Sequence, residues 1–176
     1  MNHPPFKLAR YFAKYELTTE YLLCSSDCEA MSIADLLALE PGSAEKFQHT
    51  WLGYTESQGH PNLRKEIVNI YETIQPEEIL VHTGAEEAIY LFMHAVLKKN
   101  DHVIVHTPHY QSLSEVAKSI GCETCAWQAR EENGWALDLN ELKELIQLNT
   151  KAIILNTPHN PTGYLMSRAD FEAVNK

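Results

Sequence analysis

No G-x-G-x-x-G occurs in this chain, so the fingerprint of dinucleotide-binding folds is missing. No H-E-x-x-H occurs either, and no acidic ligand set accompanies the histidines at 102, 106 and 109. Long apolar runs are also lacking; none approaches the length needed to span a bilayer. Positive charge is scarce. Lys and Arg number 14 against 24 Asp and Glu, for a net charge of −10 at pH 7. That balance argues against nucleic acid or an anionic membrane as the main partner. It leaves room for a small anion, which backbone N–H groups can hold without net positive charge. The opening Met1-Asn2-His3-Pro4-Pro5 lacks the charged-then-apolar layout of a signal peptide, so a cytoplasmic protein is expected.

Cysteines are few: Cys24, Cys28, Cys122 and Cys125. The second pair forms a C-x-x-C, which suits a redox pair or half of a zinc site. Cys122-Glu-Thr-Cys125 lies on a strand-like segment rather than at a helix start, where a reactive thiol gains most. Buried free thiols are the expected reading.

What is present is an alternation of strand and helix signals. Residues 6–16 carry Phe6, Leu8, Tyr11, Phe12 and Tyr15 and read as a helix, and Ser32 to Glu40 reads as a short one stopped by Pro41-Gly42. Pro61 suits the first turn of a helix bearing Leu63, Ile67, Ile70 and Ile74. Strands are expected at Ile79-Leu80-Val81, Val103-Ile104-Val105, residues 122–128 and Ala152 to Asn156. Between them lie helices with Ala85, Ala88, Ile89, Phe92 and Val96 on one face, then Leu113, Val116, Ala117 and Ile120, then Leu142, Leu145 and Ile146. The second is expected to start at Thr107-Pro108. The third is expected to begin at Asp138, with Glu141 completing a capping box. Ser167 caps a last helix. Such units imply an α/β fold, a mainly parallel sheet between two helical layers. Residues 1–50 do not fit the alternation and are expected to form an N-terminal arm or part of a small domain. Residues 51–176 are expected to form the first part of a larger domain.

Three strand ends carry the chemistry, because ligands in open α/β sheets bind outside the carboxyl ends of strands. Thr83-Gly84-Ala85-Glu86 opens a helix whose small residues let an anion reach the first-turn N–H groups. The same four residues also read as an ordinary capping box. Tyr110, after Thr107-Pro108-His109, could stack on a flat ring or could be a core tyrosine. Asn160-Pro161-Thr162-Gly163 puts an amide and a tight turn after the fourth strand, or is simply a loop. The three converge only if their strands are parallel neighbours. Together they would suit a planar, phosphorylated, hydrogen-bonding ligand such as pyridoxal phosphate.

The order Tyr54, Gly59-x-Pro61-x-Leu63-Arg64, Thr83-Gly84-Ala85-Glu86, Pro108-x-Tyr110 and Asn160-Pro161-Thr162-Gly163 resembles the class I/II aminotransferases, fold-type I pyridoxal phosphate enzymes. The resemblance runs from about residue 50 to the end. It implies that Asn160 hydrogen-bonds the cofactor's ring oxygen and Tyr110 stacks on its pyridine. It implies that the N–H groups at Gly84, Ala85 and Glu86 hold the phosphate, and that Tyr54 reaches the phosphate of a second subunit in a homodimer. Ser26 stands where the family contacts the substrate carboxylate. Amino acids and 2-oxo acids would be the substrates, with a same-fold lyase or cyclase as the alternative. Glu86 and Ser25-Ser26 depart from the family pattern. The family's Schiff-base lysine, pyridine-binding aspartate, substrate-binding arginine and last three of its seven strands lie beyond the N-P-T-G turn. By that resemblance the chain is expected to be the truncated N-terminal portion of an aminotransferase, inactive alone, or a non-catalytic remnant that acts as a binding module.

Overall fold

A computed structural model describes residues 4–175. Two compact units are present: residues up to Ser26 together with Gly84 onward, and Asp27–Thr83.

The first unit holds a three-stranded parallel sheet in the order β2-β1-β3. Its strands are β1 (His102–Thr107), β2 (Glu123–Gln128) and β3 (Thr150–Ile154). β1 is central and pairs Ile104 with Cys125 on one side and Ile153 on the other. It is buried over nearly its whole length, as a parallel strand covered on both faces must be. Side-chain alternation then divides the core in two. Val103 and Val105 face one layer with Met93, Leu97, Val116, Ala117 and Cys122. Ile104 faces the other with Trp127, Ala129, Leu137, Leu142 and Met166.

Helices α5 (Ala85–Val96) and α6 (Ser112–Ile120) supply the first layer, and α7 (Leu139–Leu145) and α8 (Arg168–Val174) pack into the second. The three-layer α/β architecture expected from the alternation is therefore present. Asp138 caps α7 by accepting from the Asn140 N–H at 2.7 Å, and Ser167 caps α8 by accepting from the Asp170 N–H at 3.1 Å. Glu141 does not close a capping box; it pairs with Arg130 at 3.2 Å. On α5 the buried residue is Met93, with Ile89 beside it, while Phe92 is exposed. α6 begins at Ser112 and not at Thr107-Pro108, because residues 108–111 form a loop closed by the Leu113 N–H on the Tyr110 carbonyl at 3.0 Å. The unit also contains α1 (Lys7–Tyr15).

The second unit contains α2 (Ile33–Ala38), α3 (Ser43–Gln48) and α4 (Pro61–Val68). Pro61 occupies the first turn of α4 as expected, but the helix stops before Ile70 and Ile74. Ile79-Leu80-Val81 is not a strand. The Val81 N–H goes to the Gln58 carbonyl at 2.9 Å, and no strand pairs with this segment among the described residues. Gly59 permits that approach. Its φ is +103°, and a Cβ there would lie 2.5 Å from the Val81 side chain.

Candidate functional site

The carboxyl ends of β1 and β3 lie side by side because these strands are parallel neighbours. Tyr110 follows the first and Asn160 the second. Their loops are joined through one buried side chain, His159. Its Nε2 lies 2.7 Å from the Pro108 carbonyl and its Nδ1 lies 2.6 Å from the Thr162 hydroxyl. The turn itself is closed by backbone bonds. The His159 N–H donates to the Tyr164 carbonyl at 2.8 Å, and the Gly163 N–H donates to the His159 carbonyl at 2.7 Å. Gly163 has a φ of +74°, a left-handed conformation that favours glycine. Asn160 donates its N–H to the Asn156 side chain at 2.8 Å, and the residue is exposed at the turn. The X-Pro bonds at Pro108, Pro158 and Pro161 are all cis.

Beneath the turn, His106 stacks on His159, with ring centroids 3.7 Å apart and planes 19° from parallel. His106 is fully buried, and neither of its ring nitrogens has a hydrogen-bond partner. Burial, and then the neighbouring His159, push its pKa down to about 4, opposed by the nearby Asn156 backbone. Burial also lowers the pKa of His109.

Tyr110 is half-buried, and its ring meets Phe6 with centroids 5.1 Å apart and tilted by 57°. The adjoining Gln111 amide grips the chain on either side of Phe6. It accepts from the Lys7 N–H at 3.0 Å and donates to the Pro5 carbonyl at 3.2 Å. The N-terminal segment is thereby fastened to the Tyr110 loop.

The third strand-end candidate enters through α5. Gly84 is its N-cap, in extended backbone, and has no side chain with which to cap the helix. A Cβ at Gly84 would meet nothing within 4 Å, so the approach to the first turn is open. Thr83 is therefore not the N-cap, and the expected Thr83–Glu86 capping box does not form. The Glu86 carboxylate accepts instead from the buried Ser112 hydroxyl at 3.0 Å, at the start of α6 and directly after the Tyr110 loop. Gly84, Ala85, Glu86, Tyr110 and Asn160 are thus all carried by loops and helix starts of the same unit.

Ser26 is exposed at the last residue of the first segment of that unit. Tyr54 is fully exposed and belongs to the second unit. The cysteines are all free, and no group of three or more metal-ligating side chains occurs among the described residues. Burial raises the thiol pKa of both Cys122 and Cys125, the opposite of what a reactive pair needs. No described helix is long and apolar enough to cross a membrane.

No local motif in the sequence marks His159, Gln111, Ser112 or Phe6 as a site residue. Their partners lie between 26 and 106 residues away, beyond the reach of any local motif.

Known proteins share the sequence pattern and the fold of this chain. The sequence pattern of the aminotransferase class I and II family matches residues 8–176. An aspartate aminotransferase of Pyrococcus horikoshii is 36% identical over 123 residues, which are 67% of this chain and 32% of that protein. A pyridoxal phosphate-dependent aminotransferase of Streptococcus suis 89-1591 superposes with a TM-score of 0.91 at 34% identity, covering 99% of this chain and 48% of that one. The pyridoxal phosphate-dependent cyclase OrfR superposes with a TM-score of 0.85 at 26% identity, covering 99% and 46%. The chain thus spans about a third to a half of the length of these relatives.

Proposed function

This chain belongs to the class I and II aminotransferases, and from that premise we propose that the protein binds pyridoxal phosphate and transfers an amino group between an amino acid and a 2-oxo acid. The observation that carries the reading is the junction of the Tyr110 loop and the Asn160 turn through His159. It joins the loops that carry a flat aromatic ring and an exposed amide, and the Glu86–Ser112 hydrogen bond ties the start of α5 to the end of the Tyr110 loop.

The residues present fit that cofactor. The first turn of α5, with glycine at its N-cap, would offer the N–H groups of Gly84, Ala85 and Glu86 to a phosphate, and the helix dipole would favour it. Glu86 would oppose an anion at short range, but Ser112 holds its carboxylate by a hydrogen bond. Tyr110 would lie against the pyridine face, its ring backed by Phe6. Asn160 would donate its side-chain amide to the ring oxygen, and that bond would orient the ring. Tyr54 would contact the phosphate of a second copy in a homodimer, and Ser26 would meet the substrate carboxylate. Pyridoxal phosphate supplies the aldehyde that takes the substrate's amino group and the ring that withdraws electrons from it.

On this reading residues 1–50 are an arm and part of a small domain, and residues 51–176 the first part of the cofactor domain. No lysine in 1–176 stands in a cofactor-anchoring motif, so these residues alone should be inactive. The likeness to the cyclase OrfR across 99% of this chain supports a second reading, a same-fold cyclase. Incubating the protein in its full natural length with pyridoxal phosphate, ¹⁵N-labelled amino acids and unlabelled 2-oxo acids separates the two. Transfer of ¹⁵N to the oxo acid is expected. Consumption of the amino acid without transfer favours the cyclase, and no consumption of any donor defeats both.

A further inference from the structure

We infer that His159 is a positioning residue that sets the Tyr110 loop and the Asn160 turn in register, through a single imidazole tautomer that bonds both. The inference rests on the pyridoxal phosphate reading for its consequence, but its geometry stands apart from it.

The donors and acceptors assign the tautomer. The Pro108 carbonyl can only accept, so Nε2, 2.7 Å away, must carry a proton. Thr162 Oγ1 already accepts from the Tyr164 N–H at 3.2 Å. The hydroxyl keeps its own proton to give, and in a neutral imidazole protonated at Nε2 it is Nδ1, 2.6 Å away, that accepts. One proton on Nε2 satisfies every atom in this network. The ring cannot easily turn to another arrangement. It is buried, with His106 stacked flat on one face at 3.7 Å, and its own backbone is fixed at both N–H and carbonyl by the turn. His106 makes no hydrogen bond of its own and serves as a wall.

The consequence follows from the chain path. Pro108 stands two residues before Tyr110, and His159 directly precedes Asn160. A shift of the imidazole would move the ring-stacking and amide groups relative to each other. A catalytic step at the cofactor depends on such placement, and small misplacements are costly there. His159 touches neither substrate nor cofactor in this role.

Three measurements on the purified protein test it. Histidine ring ¹³C and ¹⁵N shifts should report the Nε2–H tautomer for His159, and a dominant Nδ1–H tautomer would overturn the assignment. Thr162→Val, which leaves the Pro108 carbonyl in place, should keep the Nε2–H tautomer; a switch to Nδ1–H counts against the bond to Pro108. The third measurement is amide exchange without cofactor. In His159→Asn the amide sits where Nδ1 was and falls short of Pro108, so the Leu113 amide should exchange about fivefold faster, the equivalent of one lost hydrogen bond. His159→Gln places an amide near Nε2 and should restore protection. Equal exchange in the two variants would sink the proposal. Pyridoxal phosphate titration of the same proteins distinguishes the two levels. Wild-type protein that binds none defeats the functional reading alone, while the exchange data still decide the coupling. If wild type binds, His159→Asn should weaken binding and His159→Gln should regain most of it.

Discussion

Replacing His106 with leucine should make the protein less sensitive to acid. In the fold His106 is fully buried, its two nitrogens have no partner, and its pKa is pushed down to about 4. In the unfolded chain it returns to the ordinary value, near 6.5. The unfolded chain therefore binds the proton first as the pH falls. The contribution of His106 to stability is complete above pH 6.5 and is lost progressively as the pH drops towards 4. Applied to these two values, proton linkage gives a loss of about 2 kcal/mol at pH 5 and about 3 kcal/mol at pH 4. Leucine has similar bulk and takes no proton. It also removes two buried polar atoms that bond nothing, a feature that costs about 1–3 kcal/mol when a partner is missing. The groups facing the site, His159 and His109, stay in place, and every carboxylate is common to both proteins. Urea unfolding at pH 7.5 and pH 5.0 reads the difference. His106→Leu should be no less stable at pH 7.5 and should lose about 2 kcal/mol less than wild type on going to pH 5.0. Parallel losses in the two proteins would refute the description of His106 as a buried, unpaired imidazole.

Three further outcomes follow from the geometry around the Tyr110 loop and the start of α5. Ser112→Ala releases the Glu86 carboxylate and should weaken pyridoxal phosphate binding severalfold in a fluorescence titration; adding Glu86→Gln should recover it. Gly84→Ser has room for its side chain and supplies a cap, so it should raise stability by a few tenths of a kcal/mol while competing with the phosphate for the same N–H groups. Thermal melts and the same titration check both halves. Gln111→Ala removes two hydrogen bonds to Pro5 and Lys7, worth about 1–2 kcal/mol locally, and limited proteolysis should then cut near residues 5–15 while the sheet stays intact.

The sheet was legible in the sequence because its strands repeat one physical pattern. Val103-Ile104-Val105 and Ala152 to Leu155 are short apolar runs between turn signals; the first lies in the buried strand β1, and the second overlaps the half-buried strand β3, which ends at Ile154. Ile79-Leu80-Val81 has the same composition but is no strand, since the Val81 amide is taken by Gln58 and no ladder forms. Helix α3 is not legible in the sequence, because Ser43–Gln48 has no apolar stripe beyond Phe47. The caps at Asp138 and Ser167 were readable from three adjacent residues. The same local rule fails for Glu86 and Glu141, because Ser112 and Arg130 engage their carboxylates from a distance. At the candidate site, Tyr110 and Asn160 carried recognisable motifs. The residue that joins them did not. His159 looks like any loop histidine until Pro108, 51 residues away, is placed beside it.

The central claim is that this sheet edge holds pyridoxal phosphate between Tyr110, Asn160 and the start of α5. Equilibrium titration of the purified protein with pyridoxal phosphate, followed by absorbance, tests it most directly. Saturable binding at one site per chain is predicted, weakened about tenfold or more by Asn160→Ala, the loss expected for one hydrogen bond to a charged or strongly polar group. Absence of saturable binding, or binding indifferent to Asn160, would contradict it.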